Sequence, residues 1–267
     1  MKKEEFTLPM PWGQVAGVAW GEPSDPIVLC FHGLLDNAGS FTRLIQFLPN
    51  CFYYVCVDLP GHGRSDHFPP NLPLYNLDNL MVYILVAKHF NRDKYVIMGH
   101  SYGAQLGYFY SQMYPNKVEK LIMLDAITMW PIQSGISSKY VKHIYETFLK
   151  VDEKLKTNKP PVYTYEEALE KVATKRLYSE LSLEAAKVIL ERNIKKIDDN
   201  KYIFTVDQRL KDYMAPLNDT RYKADSIIKN PVKCPVLMIL ATESTINKGS
   251  SSTLVLTKSK SPLYAYS

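Results

Sequence analysis

The residue pattern with the most direct chemical meaning is Gly99-His100-Ser101-Tyr102-Gly103, a G-x-S-x-G. A serine hydroxyl attacks a carbonyl well only when it projects from the fold. A sharp strand-to-helix turn achieves this by holding the serine in a strained conformation, and glycines two before and two after it leave room for the turn. The pattern alone is weakly specific, because glycine makes up about 7% of ordinary sequences. Its setting adds weight: an apolar run at 95–98 leads into it and helical spacing over 104–114 follows. The plainer reading of Ser101 is an N-cap for that helix.

A second pattern, His32-Gly33-Leu34-Leu35-Asp36-Asn37, closes an earlier apolar run at 27–31. Acyl transfer develops negative charge on the carbonyl oxygen, and preorganised backbone N–H groups stabilise it. The N–H of Tyr102 at the start of the elbow helix is one natural donor and that of Leu34 is the other. Both are main-chain groups, so these side chains need not be polar.

The elements that must hold these residues read as strands at 15–20, 27–31, 52–57, 95–98, 118–124 and 235–240. They are short apolar runs bounded by Gly, Pro or Asp. Helical spacing appears at 41–48, 77–90 and 104–114. Alternation of this kind predicts an α/β fold, a mostly parallel sheet with flanking helices. From about 130 the strand signal stops and Lys/Glu-rich helical patterns take over, for example at 165–177 and 183–194. The expected organisation is therefore 1–129 as the first part of the core, 130–228 as an inserted helical cap, 229–241 as a return strand and 242–267 as an atypical Ser/Thr-rich tail. Within the cap, Trp130, Tyr140 and Tyr145 are candidate pocket aromatics. Asp58 and Asp66, in the loop before the elbow, read as loop-fixing residues.

Taken together, HGLLDNAGSF, DLPGHGRSD and GHSYGAQLG, in this order and spacing, resemble the α/β-hydrolase superfamily over 12–128. More narrowly they are similar to the serine hydrolase-like proteins of animals, kraken-like hydrolases included. Asp207-Gln208-Arg209-Leu210 and PVLMIL at 235–240 extend the likeness. The resemblance implies a nucleophile at Ser101 and an oxyanion hole at Leu34 and Tyr102, with His32, Gly33, Gly99, His100 and Gly103 as motif residues. It also implies turnover of a small-molecule ester, amide or thioester through an acyl-enzyme, with no metal or organic cofactor.

In this family the acid and then a histidine follow the nucleophile along the chain. The acid is either Asp125, which closes the 118–124 run, or Glu243, which follows the last strand. The expected histidine is not found. Of the six, His32, His62, His67, His89, His100 and His143, only His143 lies beyond the elbow. His143, His100 and His32 are the available substitutes. Each has a plainer reading: turn packing for His32 and His100, and the surface of a Lys-rich helix for His143. The final strand and helix of the fold are expected to be missing, as in a truncated form. Two functional readings stay open: a serine hydrolase, and a catalytically impaired hydrolase-fold protein that binds ligands.

Composition bounds the remaining classes. With 267 residues, 46% of them hydrophobic and 22% charged, the chain has enough apolar content for a substantial core. The net charge of +5 is spread rather than concentrated, which argues against nucleic acid as a partner. Cys30, Cys51, Cys56 and Cys234 lack metal-site spacing and read as free thiols. No run approaches the roughly 18 apolar residues of a transmembrane segment, and the start lacks the apolar core of a secretory signal. An intracellular, cytoplasmic location is expected, with vesicular and peroxisomal locations and the oligomeric state left open.

Overall fold

Parallel strands covered on both faces must be apolar on both, and the central strands of this chain meet that requirement. In the computed structural model, which describes residues 1–70, 73–75, 77–127, 137–157, 159–176, 180–212 and 220–242, the strands β3 (Ile27–Phe31) and β4 (Tyr53–Val57) are buried almost throughout. They join β1 (Lys3–Met10), β2 (Gly13–Trp20), β5 (Tyr95–His100), β6 (Val118–Leu124) and, after an intervening β7 (Ile194–Asp198) and β8 (Lys201–Phe204), β9 (Val236–Ile239). The seven-stranded sheet has the order β1-β2-β4-β3-β5-β6-β9. β1 and β2 run antiparallel to their neighbours and the other pairings are parallel.

Side chains alternate between the two faces. Leu29, Phe31, Val55, Val57 and Ile97 pack with residues of α2 (Leu80–Phe90) and α3 (Tyr102–Met113), counting the short α1 (Thr42–Ile45) as the first helix. Val28, Cys30, Tyr54, Cys56, Val96 and Met98 pack on the other side against Phe41 and Ile45. Cys30, Cys51, Cys56 and Cys234 are free, and all but Cys51 are buried. Burial raises the thiol pKa of Cys56, as does the neighbouring Cys30.

The segment after β6 contains α4 (Ser137–Thr157), α5 (Tyr165–Thr174), α6 (Leu183–Asn193) and α7 (Thr220–Lys229). A Thr164–Glu167 capping box starts α5 and the Ser182 side chain caps α6. The expectation that 130–228 is entirely helical needs correction, because β7 and β8 form an antiparallel hairpin there. Most of β7 is exposed, so IKKID carries no alternation of apolar and polar residues to announce it. Asn200 supplies the left-handed conformation at its turn. β1 was likewise not expected, although Phe6, Leu8 and Met10 alternate with Glu5, Thr7 and Pro9 and turn inward. The 41–48 helix shrinks to the single turn of α1. The tail from 243 onward lies outside the described residues.

A buried ion pair ties α6 to the sheet. Asp58, fully buried at the end of β4, accepts hydrogen bonds from the Arg192 guanidinium (Nη2–Oδ2 2.7 Å) and from the backbone N–H groups of Ala38 (2.7 Å) and Arg64 (3.0 Å). Arg192 also reaches Glu5 of β1 at 2.6 Å. Burial would lower the guanidinium pKa, but the hydrogen bonds and charges of Asp58, then Glu5, outweigh it and raise the pKa instead. Removing one partner of such a pair strands the other charge out of water. Arg192→Ala is therefore expected to lower the unfolding free energy by about 3–5 kcal/mol in urea denaturation. Arg64→Ala, which deletes only the exposed 3.4 Å pair with Glu5, should change it by less than about 1 kcal/mol.

Candidate active site

β5 ends at His100, and the chain turns at once into α3. The residue at the turn, Ser101, has φ 47° and ψ −114°, a combination that an L residue adopts only under constraint. Three contacts impose it. The Ser101 N–H bonds to Leu124 O of β6 (2.9 Å), the Gly103 N–H to His32 O after β3 (3.1 Å), and Tyr83 Oη to Gly103 O (2.6 Å). The approach leaves no room for side chains: a Cβ on Gly103 would stand 2.2 Å from Phe31 O, and one on Gly99 2.4 Å from the Ala104 backbone. The Ser101 hydroxyl caps no helix amide and has no hydrogen-bond partner among the described residues. The N-cap reading of Ser101 is thereby set aside. Tyr102 buries its side chain, with its Oη accepting from Asn79 Nδ2 (3.0 Å), so it offers the site only its backbone.

The loop after β3 lies directly against this turn. A Cβ on Gly33 would fall 2.9 Å from His100 Nδ1 and 3.4 Å from Ser101 Cβ. Residues 33–36 form a turn closed by Asp36 N–H to Gly33 O (3.1 Å), with Leu35 at φ 63°. The Leu35 N–H donates to His62 Nε2 (3.1 Å). Of the amides at 34–36, only that of Leu34 has no acceptor among the described residues.

Two buried histidines brace the loop. His32 Nε2 accepts from Leu59 N–H (2.9 Å), which fixes the proton on Nδ1, and that N–H donates to Gly33 O (2.7 Å). His62 is held in the same way between Leu35 N–H and Pro60 O (3.0 Å), and the two rings meet edge to face at 4.9 Å. With both nitrogens engaged, neither ring has a lone pair to offer Ser101. Burial pushes both pKa values down to about 3, and for His62 the neighbouring His32 lowers it further.

The remaining sequence candidates fall as follows. His100 is partly exposed, and its Nδ1 lies 3.8 Å from Asp36 Oδ2. Asp125 ends β6 beside the elbow at φ 47°; its N–H bonds to Ile239 O (2.7 Å) and its Oδ1 accepts from Ala241 N–H (3.1 Å), which joins β6 to the chain after β9. His143 is exposed on α4. Tyr145, also exposed, has its Oη 3.4 Å from that of Tyr75, and Tyr140 is partly buried on α4. Glu243 and Trp130 lie outside the described residues. Asp58 and Asp66 do fix loops, Asp66 by accepting from Gln14 N–H (2.8 Å). Among the described residues no cluster of His, Cys, Asp or Glu has the grouping of a metal site, and no helix is long and apolar enough to cross a membrane.

Sequence reasoning gave Asp36 and Arg209 no role beyond their motifs and passed over Arg176: Arg176 Nη2 lies 2.6 Å from Asp36 Oδ1, and Arg209 pairs with Asp207 and reaches Phe68 O (2.7 Å) and Pro69 O (2.8 Å). Arg176 carried no local signal, because its partner lies 140 positions earlier.

The histidine brace has a pH signature. The unfolded chain binds protons at these imidazoles below about pH 6.5, while the folded chain refuses them until about pH 3. Their stabilising contribution is complete above pH 6.5 and is lost as pH falls through that window, at about 1.4 kcal/mol per pH unit for each ring. Denaturant midpoints measured between pH 7 and pH 4 should fall accordingly, and His62→Gln should flatten the slope.

A family model described as the alpha/beta hydrolase fold matches residues 26–254. A serine hydrolase-like protein of Danio rerio is 34% identical over 211 residues, covering 77% of this chain and 62% of the relative. Serine hydrolase-like protein 2 of Homo sapiens is 34% identical over 209 residues, covering 77% of this chain and 65% of the relative. The chain thus spans less than two thirds of these relatives' length. Among solved structures, a hypothetical protein from Pseudomonas aeruginosa PAO1 superposes with a TM-score of 0.78 at 28% identity, over 90% of this chain and 82% of that one. The matched span contains β3 to β9, the strained turn at Ser101 and the loop packed against it, and on these grounds the chain belongs to the α/β-hydrolase fold family.

Proposed function

We propose that the chain is a serine hydrolase acting on a small ester, amide or thioester. The observation that carries this reading is the Ser101 hydroxyl, held at a positive φ with no structural hydrogen bond, beside a turn whose Leu34 N–H is unpaired among the described residues. Serine hydroxyls at helix starts ordinarily cap the helix, and one held in strain without doing so is positioned for other chemistry. In this reading Ser101 Oγ bonds to the substrate carbonyl carbon while its proton passes to a base. The oxyanion is stabilised by the N–H groups of Leu34 and Tyr102, the latter aided by the positive end of α3. The base passes that proton to the leaving group as its bond to the carbonyl carbon breaks, giving an acyl-enzyme; water then gives a proton to the base and attacks the acyl carbon, releasing the acid and returning the proton to Ser101 Oγ.

Asp125, on the neighbouring strand end, is the acid in this scheme, with Glu243 as the alternative. The engaged nitrogens of His32 and His62 count against them as bases and favour His100, next to Ser101 in the chain, over the more distant His143 of α4. The names of the relatives, serine hydrolase-like proteins, agree with this reaction class.

The test is a fluorophosphonate probe, which forms a stable adduct only with an activated serine. Intact mass and peptide mapping should find one adduct, on Ser101, absent from Ser101→Ala. A folded, unlabelled wild type would overturn the reading in favour of ligand binding without turnover.

A further inference from the structure

We infer that Arg176 is a positioning residue for the Leu34 turn, acting through Asp36, and that it couples the segment between β6 and β9 to the reaction at Ser101. This deepens the serine hydrolase reading and rests on it for its kinetic consequence. The structural part stands separately.

The turn at 33–36 is anchored from two sides. On one side the buried histidines hold Gly33 O and Leu35 N–H. On the other the anchor is the Asp36 side chain, only 5% exposed, which therefore needs its charge matched inside the protein. The match comes from Arg176, just beyond α5, with Nη2 2.6 Å from Oδ1. The other carboxylate oxygen lies 3.8 Å from His100 Nδ1, and the His100 ring rests on Gly33. Arg176, Asp36, His100 and Gly33 thus succeed one another at close range along the turn that carries the Leu34 amide. Arg176, at 2.6 Å, is the cation that holds the buried Asp36 carboxylate in place.

Among the described residues the Arg176 side chain bonds to Asp36 and has no hydrogen bond to Ser101 or the Leu34 amide, so it is not placed to take part in bond making. Its effect runs through where the amide points. An oxyanion donor acts only within a narrow range of distance and direction, so a small displacement of the turn lowers the rate of attack more than the affinity for substrate. A bridge that merely anchored α5 would instead alter overall stability and leave the folded protein's reactivity unchanged.

The experiment compares the wild-type chain with Arg176→Ala, Arg176→Lys and Asp36→Asn. Hydrogen exchange is read at 34–36 against β5 and β6, and fluorophosphonate labelling is read as a maximal rate and a half-saturating concentration. Arg176→Ala should speed exchange at 34–36 by about tenfold or more while β5 and β6 stay protected. It should cut the maximal labelling rate by about ten- to a hundredfold, with half-saturation moving less than about twofold. Arg176→Lys, which keeps the charge, should recover most of both. Wild-type exchange at 34–36 in Arg176→Ala, or a loss confined to half-saturation, would overturn the inference. If Arg176→Ala does not fold, the isosteric Asp36→Asn carries the same two measurements. If the wild type itself is not labelled, the hydrolase reading fails, and the exchange measurement alone decides whether Arg176 positions the turn.

Discussion

A carboxylate shut away from water must find all its partners inside the protein, and Asp58 finds them in three separate parts of the chain. It takes the Ala38 amide from the loop after β3, the Arg64 amide from the loop after β4, and the guanidinium of Arg192 from α6. Arg192 in turn holds Glu5 on β1. The strand ends on which the site is built are therefore cross-linked by charge as well as by the ladder of the sheet. Packed hydrophobic residues can match the stability of a buried ion pair, but a charged pair with directional hydrogen bonds allows fewer alternative arrangements of these loops.

The loops meeting at Asp58 are held further by groups that use every hydrogen-bonding atom they have. His32 and His62 each donate from Nδ1 and accept at Nε2. Asp207 and Arg209 do similar work at the two ends of the 61–70 loop, where the Asp207 N–H binds Gly61 O and Arg209 binds the carbonyls of Phe68 and Pro69. Asn37 ties the other loop to α6 through Ile189 O (2.8 Å). Among the described residues, the Ser101 hydroxyl and the Leu34 amide have no bond within the protein, and a ligand at the elbow would complete the bonding of both.

Much of the fold was legible because buried parallel strands are nearly continuous apolar runs, and the ends of 27–31 and 118–124 match β3 and β6. The elbow was legible because only glycine tolerates the contacts around Ser101. The hairpin of β7 and β8 was not, since a strand exposed on most of its length carries no alternating pattern. β1 was not legible either, since it opens on charged Lys3, Glu4 and Glu5, is exposed over most of its length and contains Pro9, all of which weaken a strand pattern. Nor was the base legible: the sequence offers His32, His100 and His143 alike, and that both ring nitrogens of His32 are engaged is visible only in the tertiary structure.

The sequence by itself determined the sheet's central strands, the turn at Ser101 and the two loops that flank it, because each depends on local residue types: apolar runs, close-packed glycines and turn formers. The tertiary structure alone decided which polar side chains meet. Asp36 with Arg176, and Asp58 with Arg192, are joined over 140 and 134 positions. No local pattern encodes such a pairing, because it follows from the path the chain takes around the sheet and from the cost of leaving a buried charge unmatched.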